Sequence, residues 1–147
     1  MKHKLTLSEA LTLQEKIVRG IEETENSIIN YNSTDKNTSN LFVHLTDLEN
    51  QLVVIKEAIQ TANKKKGKDG KTNNFWIYTL SNLNRRRAFF NLLNPKKDDK
   101  KAQVTKKKVE EMRKSVGEDI NKIYNKLEIF NTDTKIKVEI NESLNLL

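Results

Sequence analysis

Between Asn73 and Asn94 the chain gathers Phe75, Trp76, Tyr78, Phe89 and Phe90 together with Arg85, Arg86 and Arg87, five of its nine aromatic residues and three of its five arginines. Flat rings stack on nucleobases, and the planar guanidinium fork matches phosphate oxygens in a bidentate way. Asn73 and Asn74, with Lys71 just ahead of them, add donors and acceptors for base, ribose and phosphate groups. The residues expected to bind ligand are therefore Arg87, Arg86, Arg85, Trp76, Asn73, Asn74, Tyr78 and Lys71. Plain core packing is the competing explanation for the aromatics.

Arg87 carries the sharpest form of this expectation. On a helix advancing about 100° per residue it falls between Leu80 and Leu83, with Phe90 on the same stripe. If that stripe is buried, the charge needs a companion, because an unpaired buried cation is prohibitively costly. An Asp or Glu on a neighbouring helix would serve, and so would an anionic ligand; an exposed face is the third alternative.

Other chemistries find little to work with. The chain has no cysteine, which removes disulfides, thiolate metal sites and cysteine nucleophiles. With only His3 and His44, no histidine-rich metal set forms, and His44, beside the seam of the second helix, reads as a half-buried structural residue. The acidic groups Glu22-Glu23-Glu25, Asp98-Asp99 and Glu110-Glu111 read as solvated faces and a linker, whereas carboxylate catalysis needs an acid in an apolar pocket. Gly67-Lys68-Asp69-Gly70-Lys71-Thr72 ends like a phosphate-binding loop, but two residues separate its glycines where that motif needs four. No catalytic residue, metal ligand or cofactor is expected.

The elements that must position the arginines follow from periodicity. Thr6-Leu7-Ser8-Glu9 is a capping box that opens a first helix reaching about Asn30, with Leu7, Leu11, Val18, Ile21 and Ile28 at heptad spacing. A polar loop from Asn30 to Asn40 leads to a second helix in which Leu41, Leu45, Leu48, Leu52, Ile55, Ile59 and Ala62 repeat in strict four-three steps. Val43, Val53 and Val54 widen its apolar surface beyond what one hairpin partner covers, so further helices of this chain or another should pack there.

Lys64 to Asn74 is a basic loop. Phe75 to Thr79 is a short strand or the lead-in to a third helix capped by Thr79 or Ser81, and Pro95 stops that helix near Asn94. Pro95 to Lys101 is a charged linker. A fourth helix spans about Lys106 to Phe130, with Val109, Met112, Val116, Ile120, Ile123, Leu127 and Phe130 on one face. From Thr134 to Ile140 the period becomes two, the signature of a strand whose partner is Lys2 to Leu7, Ala102 to Thr105, Phe75 to Tyr78, or its own copy in a second subunit.

The expected fold is thus mainly α. A helical hairpin (1–63), a basic loop (64–74) and a second helical pair (75–131) precede a small β element and tail (132–147), all in one domain. The hydrophobic share of 35% and mean hydropathy of −0.74 suit helices with one apolar stripe better than a thick sandwich. No leader or membrane segment is readable, so a cytoplasmic location is expected. Abundant Asn, Lys and Ile are typical of an AT-rich genome, such as that of a low-GC bacterium or its phage. The net charge of +7 draws in polyanions. The runs Lys64-Lys65-Lys66, Lys96-Lys97, Lys100-Lys101 and Lys106-Lys107-Lys108 attract phosphate without reading a sequence.

Leu7-Ser8-Glu9-Ala10-Leu11, Ile59-Gln60-Thr61-Ala62-Asn63, and Thr79-Leu80-Ser81 followed by Arg87 resemble a bacterial family named septicolysin-like. The resemblance implies a helical fold and sets a family arginine on Arg87. In the family an acid usually follows it, whereas here Ala88 does, and the family's closing Asn-Trp signature is not evident near Leu127 to Asn131.

These observations lead to a non-enzymatic, homo-oligomeric binding protein that captures or sequesters a small anionic, nucleotide-type ligand. A phage counter-defence protein sequestering a nucleotide immune signal is one such protein. The alternatives are a nucleic-acid-associated basic protein held by its lysine clusters and a structural helical module that binds other proteins.

Overall fold

The computed structural model describes residues 1–31, 38–93 and 105–147. The chain is mainly helical, with four helices and a two-stranded antiparallel sheet, in the order β1 (Lys2–Thr6), α1 (Leu7–Tyr31), α2 (Thr38–Asn63), α3 (Asn73–Leu92), α4 (Lys106–Asp133) and β2 (Lys135–Glu139). A short 3-10 turn at Glu142–Leu144 follows. The linker expected at Pro95–Lys101 lies outside the described residues. The chain divides into two compact units, Met1–Lys65 with Asn131–Leu147, and Lys66–Phe130.

In the first unit β1 runs into α1 without a loop, and the capping box makes that abrupt change affordable. The Thr6 amide donates to Glu9 Oε2 at 2.8 Å and the Glu9 amide donates to Thr6 Oγ1 at 3.1 Å, so two of the helix's orphan donors are satisfied reciprocally. The strand from Lys135 pairs with β1 in the register Lys2↔Glu139 to Thr6↔Lys135, which selects the first of the four partners its sequence allowed. Alternation puts Ile136 and Val138 inside, and Ile140, Leu144 and Leu146 of the tail are buried after them.

α2 supplies the opposing surface through Leu48, Ile55, Ile59 and Ala62, much as its spacing requires. Between them Gln51, 5% exposed, donates from Nε2 to the Glu139 carbonyl at 2.9 Å and accepts the Asn141 amide on Oε1 at 2.8 Å. One side chain thereby pairs both part-buried backbone groups where β2 ends, which would otherwise lack a protein partner.

The seam of α1 differs from the heptad read in its sequence. Leu7, Ala10, Leu13, Ile17, Thr24 and Ile28 are buried, while Leu11, Val18 and Ile21 are only half-buried. A heptad assumes one helical partner. α1 packs against α2 and also against the sheet, so its buried face is rotated and broadened. Val43 and Val53 stay largely exposed, at 61% and 59%, and no described helix of this chain covers them.

The second unit is an antiparallel pair. Lys126 near the end of α4 lies over Trp76 near the start of α3, and Arg113 near the start of α4 reaches the last turn of α3. Leu83, Val116, Ile120 and Ile123 form its core, with Trp76, Leu80, Phe90 and Leu127 packed around them. Phe75 to Thr79 is helix, not strand. The cap is Thr72, whose hydroxyl accepts the Phe75 amide at 3.0 Å, and not Thr79 or Ser81. Capping from Thr72 starts the helix earlier because the residues before it form a closed turn.

Candidate functional site

That turn is built from the basic loop. Lys66 bridges to Thr72, the Gly67 amide donates to the Lys71 carbonyl at 2.8 Å, and Gly70 takes a left-handed conformation (φ 77°) that suits glycine. Asp69 Oδ1 accepts the Lys71 amide at 3.0 Å and Oδ2 lies 3.6 Å from Lys126 Nζ. The donated Lys71 N–H and the Lys126 ammonium hold the Asp69 carboxyl below its ordinary range, burial opposing them only in part. The carboxylate's contribution to the turn is accordingly complete above the ordinary Asp value of about 3.9 and is lost as pH falls through its lowered folded value. A carboxyl-detected titration by NMR should find the Asp69 midpoint below that of an unstructured Asp and moved upward by Lys126→Met; a midpoint at or above the ordinary value would contradict this geometry.

The eight expected site residues, Lys71 just before α3 and seven on it, divide between covered and exposed positions. Asn73 is buried, Trp76 is half-buried against the core, and Asn74 is half-buried. Trp76 meets Phe75 edge to face at 4.8 Å and is covered by Lys126 Nζ at 4.4 Å, so its ring is already engaged. Lys71, Tyr78, Arg85, Arg86 and Arg87 are exposed. Lys71 Nζ sits 4.6 Å from the Phe75 ring.

Arg87 is not turned inward. It is exposed and bonds Asn84 Oδ1 at 3.1 Å from Nη2. Although its position continues the stripe of Trp76, Leu80 and Leu83, the long stem carries the guanidinium out to water, as flexible cations do at the margin of a small core. Burial therefore does not force an anion onto Arg87. The inward arginine of this unit is Arg113, half-buried, whose Nη2 donates to the Phe90 carbonyl at 2.8 Å and the Leu93 carbonyl at 3.1 Å. It adds a charged donor to the carbonyls at the negative end of α3, where the Phe90 carbonyl also accepts the Leu93 amide at 3.1 Å. The signal was present, since Val109, Arg113, Val116, Ile120, Ile123 and Leu127 follow four-three spacing, but apolar Met112 beside it drew the stripe away.

What remains is an open face. Phe75 (41% exposed), Tyr78 (66%), Phe89 (56%) and Leu92 (83%) stand outward with Asn82, Arg85 and Arg86, roughly 150° around the axis from the core stripe. α3 contains no Asp or Glu, and among the described residues Arg85 and Arg86 have no ion-pair partner. The surrounding unit has the same bias. Its described residues include 13 Lys and Arg against 6 Asp and Glu, a balance of +7, whereas those of the other unit have 9 against 11, a balance of −2. The positive charge of the chain is thus concentrated on the unit that carries α3.

The first unit holds a separate recess of about 350 Å³, lined by Lys16, Arg19, Glu23, His44, Leu48 and Leu146 among others. His44 is exposed there and is not the half-buried structural residue its place beside the seam suggested. Outward rotation from the α1 contact accounts for this. Lys16 Nζ is held by the Leu146 carbonyl at 3.0 Å. Among the described residues no group of three His, Asp or Glu is placed to hold a metal ion, and no helix is long and apolar enough to cross a membrane. The chain matches no protein-family model, no curated protein and no solved structure.

Proposed function

We propose that the protein is a non-enzymatic binding protein for phosphate-bearing, nucleotide-type ligands, which it takes on the outward face of α3. The observation that carries this reading is an acid-free helix whose Arg85 and Arg86 have no ion-pair partner among the described residues and stand between exposed aromatic rings, on a unit that concentrates the chain's positive charge. Rings supply stacking surface for bases of any sequence, worth about 1–3 kcal/mol per base, and guanidinium forks hold phosphate oxygens. The binding set is Arg85, Arg86, Phe75, Tyr78 and Phe89, with Lys71 and Arg87 at its margins. Trp76 serves the helix pair instead, and Asn73 is buried.

The face is convex, and the described residues of its own unit supply one side of a site. Small nucleotides and single strands share the chemistry that this face recognises. Thermal unfolding of the purified chain with a panel of nucleoside mono- and diphosphates, a linear dinucleotide and a short single-stranded oligonucleotide separates them. A ligand present at 100 times its Kd stabilises the fold by about 2.7 kcal/mol, which raises Tm by several degrees. Affinity for the oligonucleotide alone, falling log-linearly with salt, would make the strand the ligand. No response to any member would refute the reading.

A further inference from the structure

We infer that a second copy of this chain covers the outward face of α3, and that the two copies hold a phosphate-bearing anion between their Arg85 side chains. The inference rests on the functional reading above and adds the partner that completes the site.

The argument starts from spacing. The exposed positions Phe75, Tyr78, Asn82, Arg85, Phe89 and Leu92 step by three, four, three, four and three residues. This is the seam of a coiled coil, and it reads the same in both directions. A two-fold axis passing between positions 83 and 84 therefore sets Phe75 against Leu92 of the second copy, Tyr78 against Phe89 of the second copy, and Asn82 against Arg85 of the second copy. Apolar groups meet apolar groups at both ends. Two-fold pairs require this self-complementarity, and aromatic side chains are enriched at interfaces. Next to the seam, Arg86 faces Ser81 of the second copy and Thr79 faces Ala88, so the flanks bring no like charges together.

The axis itself is the exception. There the two Arg85 side chains approach with an axial offset of only about 4.5 Å, since each lies one and a half residues from the axis at 1.5 Å per residue. α3 has no acid to offer either of them. An anion bound at the axis offsets the repulsion between the two guanidinium groups. Two guanidinium forks and two Asn82 amides present donors from both sides, a set that matches the several oxygens and multiple charge of a phosphate monoester or diphosphate. A carboxylate, with one charge and two oxygens, leaves one arginine unmatched.

Sedimentation velocity of the full chain tests this, run alone, with inorganic pyrophosphate, with ADP, and with a short single-stranded oligonucleotide. The expected result is a dimer whose dissociation constant tightens at least tenfold with pyrophosphate or ADP. Pyrophosphate acting as well as ADP assigns the effect to the phosphates; ADP acting more strongly adds the base. Arg85→Gln should abolish the anion dependence, and Phe89→Asp should prevent the dimer in every buffer while leaving the helical circular-dichroism spectrum in place, both side chains being exposed. A monomer that binds ADP one to one overturns the inference and leaves the functional reading standing. A dimer equally tight without any anion overturns the Arg85 site. Response to the oligonucleotide alone, without dimerisation, overturns the second copy in favour of a strand.

Discussion

Replacing Gln51 with Leu is expected to destabilise the protein by about 2–4 kcal/mol, because it strands two part-buried backbone groups, and an unsatisfied group costs about 1–3 kcal/mol when fully buried. The two are the Glu139 carbonyl and the Asn141 amide. Leu matches the volume closely, so little of the loss comes from packing. Set against a domain stability of about 5–15 kcal/mol, this is a large fraction, and it should appear as a lowered denaturant midpoint with an unchanged slope. The loss should be local in origin: amides of residues 138–146 should exchange with solvent faster than those of α1, since Leu144 and Leu146 are held where Gln51 directs the chain. A midpoint shift worth under 0.5 kcal/mol, the usual size for surface positions, would show that the tail is held by apolar burial alone.

The second large effect concerns function. Arg85→Glu with Arg86→Glu should weaken binding of a phosphate-bearing ligand at least a hundredfold, since hydrogen bonds to charged groups are worth about 1.5–3 kcal/mol each and reversal adds repulsion. Both side chains are exposed and without ion-pair partners among the described residues, so the melting temperature should stay within a degree or two of the parent. Arg113→Gln is the informative contrast. That change removes the donor to the Phe90 and Leu93 carbonyls, so it should lower stability while leaving ligand affinity close to the parent's. Equal affinity loss at both sites would mean that the helix pair as a whole, and not the outward face, governs binding.

How much of this was legible in the sequence differs from element to element. Several elements carry patterns that their burial follows. α2 shows its seam, α4 shows most of its buried face, and Ile136, Val138 and Ile140 alternate as a half-buried strand should. The capping box at Thr6 and Glu9 was readable because its geometry is local. α1 was harder, since its buried positions Ala10, Leu13, Ile17 and Thr24 lie beside the heptad that Leu11, Val18 and Ile21 suggest. Gln51 was invisible because a polar residue beside a leucine seam looks solvated until a strand end is found to need it.

The aromatic and arginine stretch was identified, but its direction was not. Arg87 follows the apolar stripe in spacing and escapes it through the length of its side chain, whereas Arg113 follows a stripe and stays inward because helix-end carbonyls wait there. Periodicity locates a Cβ and says little about where a flexible cation ends. The expectation of a ligand forced by burial fails with Arg87, and the functional reading now stands on charge segregation and an open stacking face.

The most direct measurement is a two-dimensional NMR titration of the labelled chain with ADP, following every backbone amide and the arginine side-chain signals. The account predicts saturable shifts concentrated between residues 73 and 92 and strongest at Tyr78, Arg85, Arg86 and Phe89. Shifts confined to the recess around Lys16, Arg19 and His44, or no shifts at millimolar ligand, would contradict it.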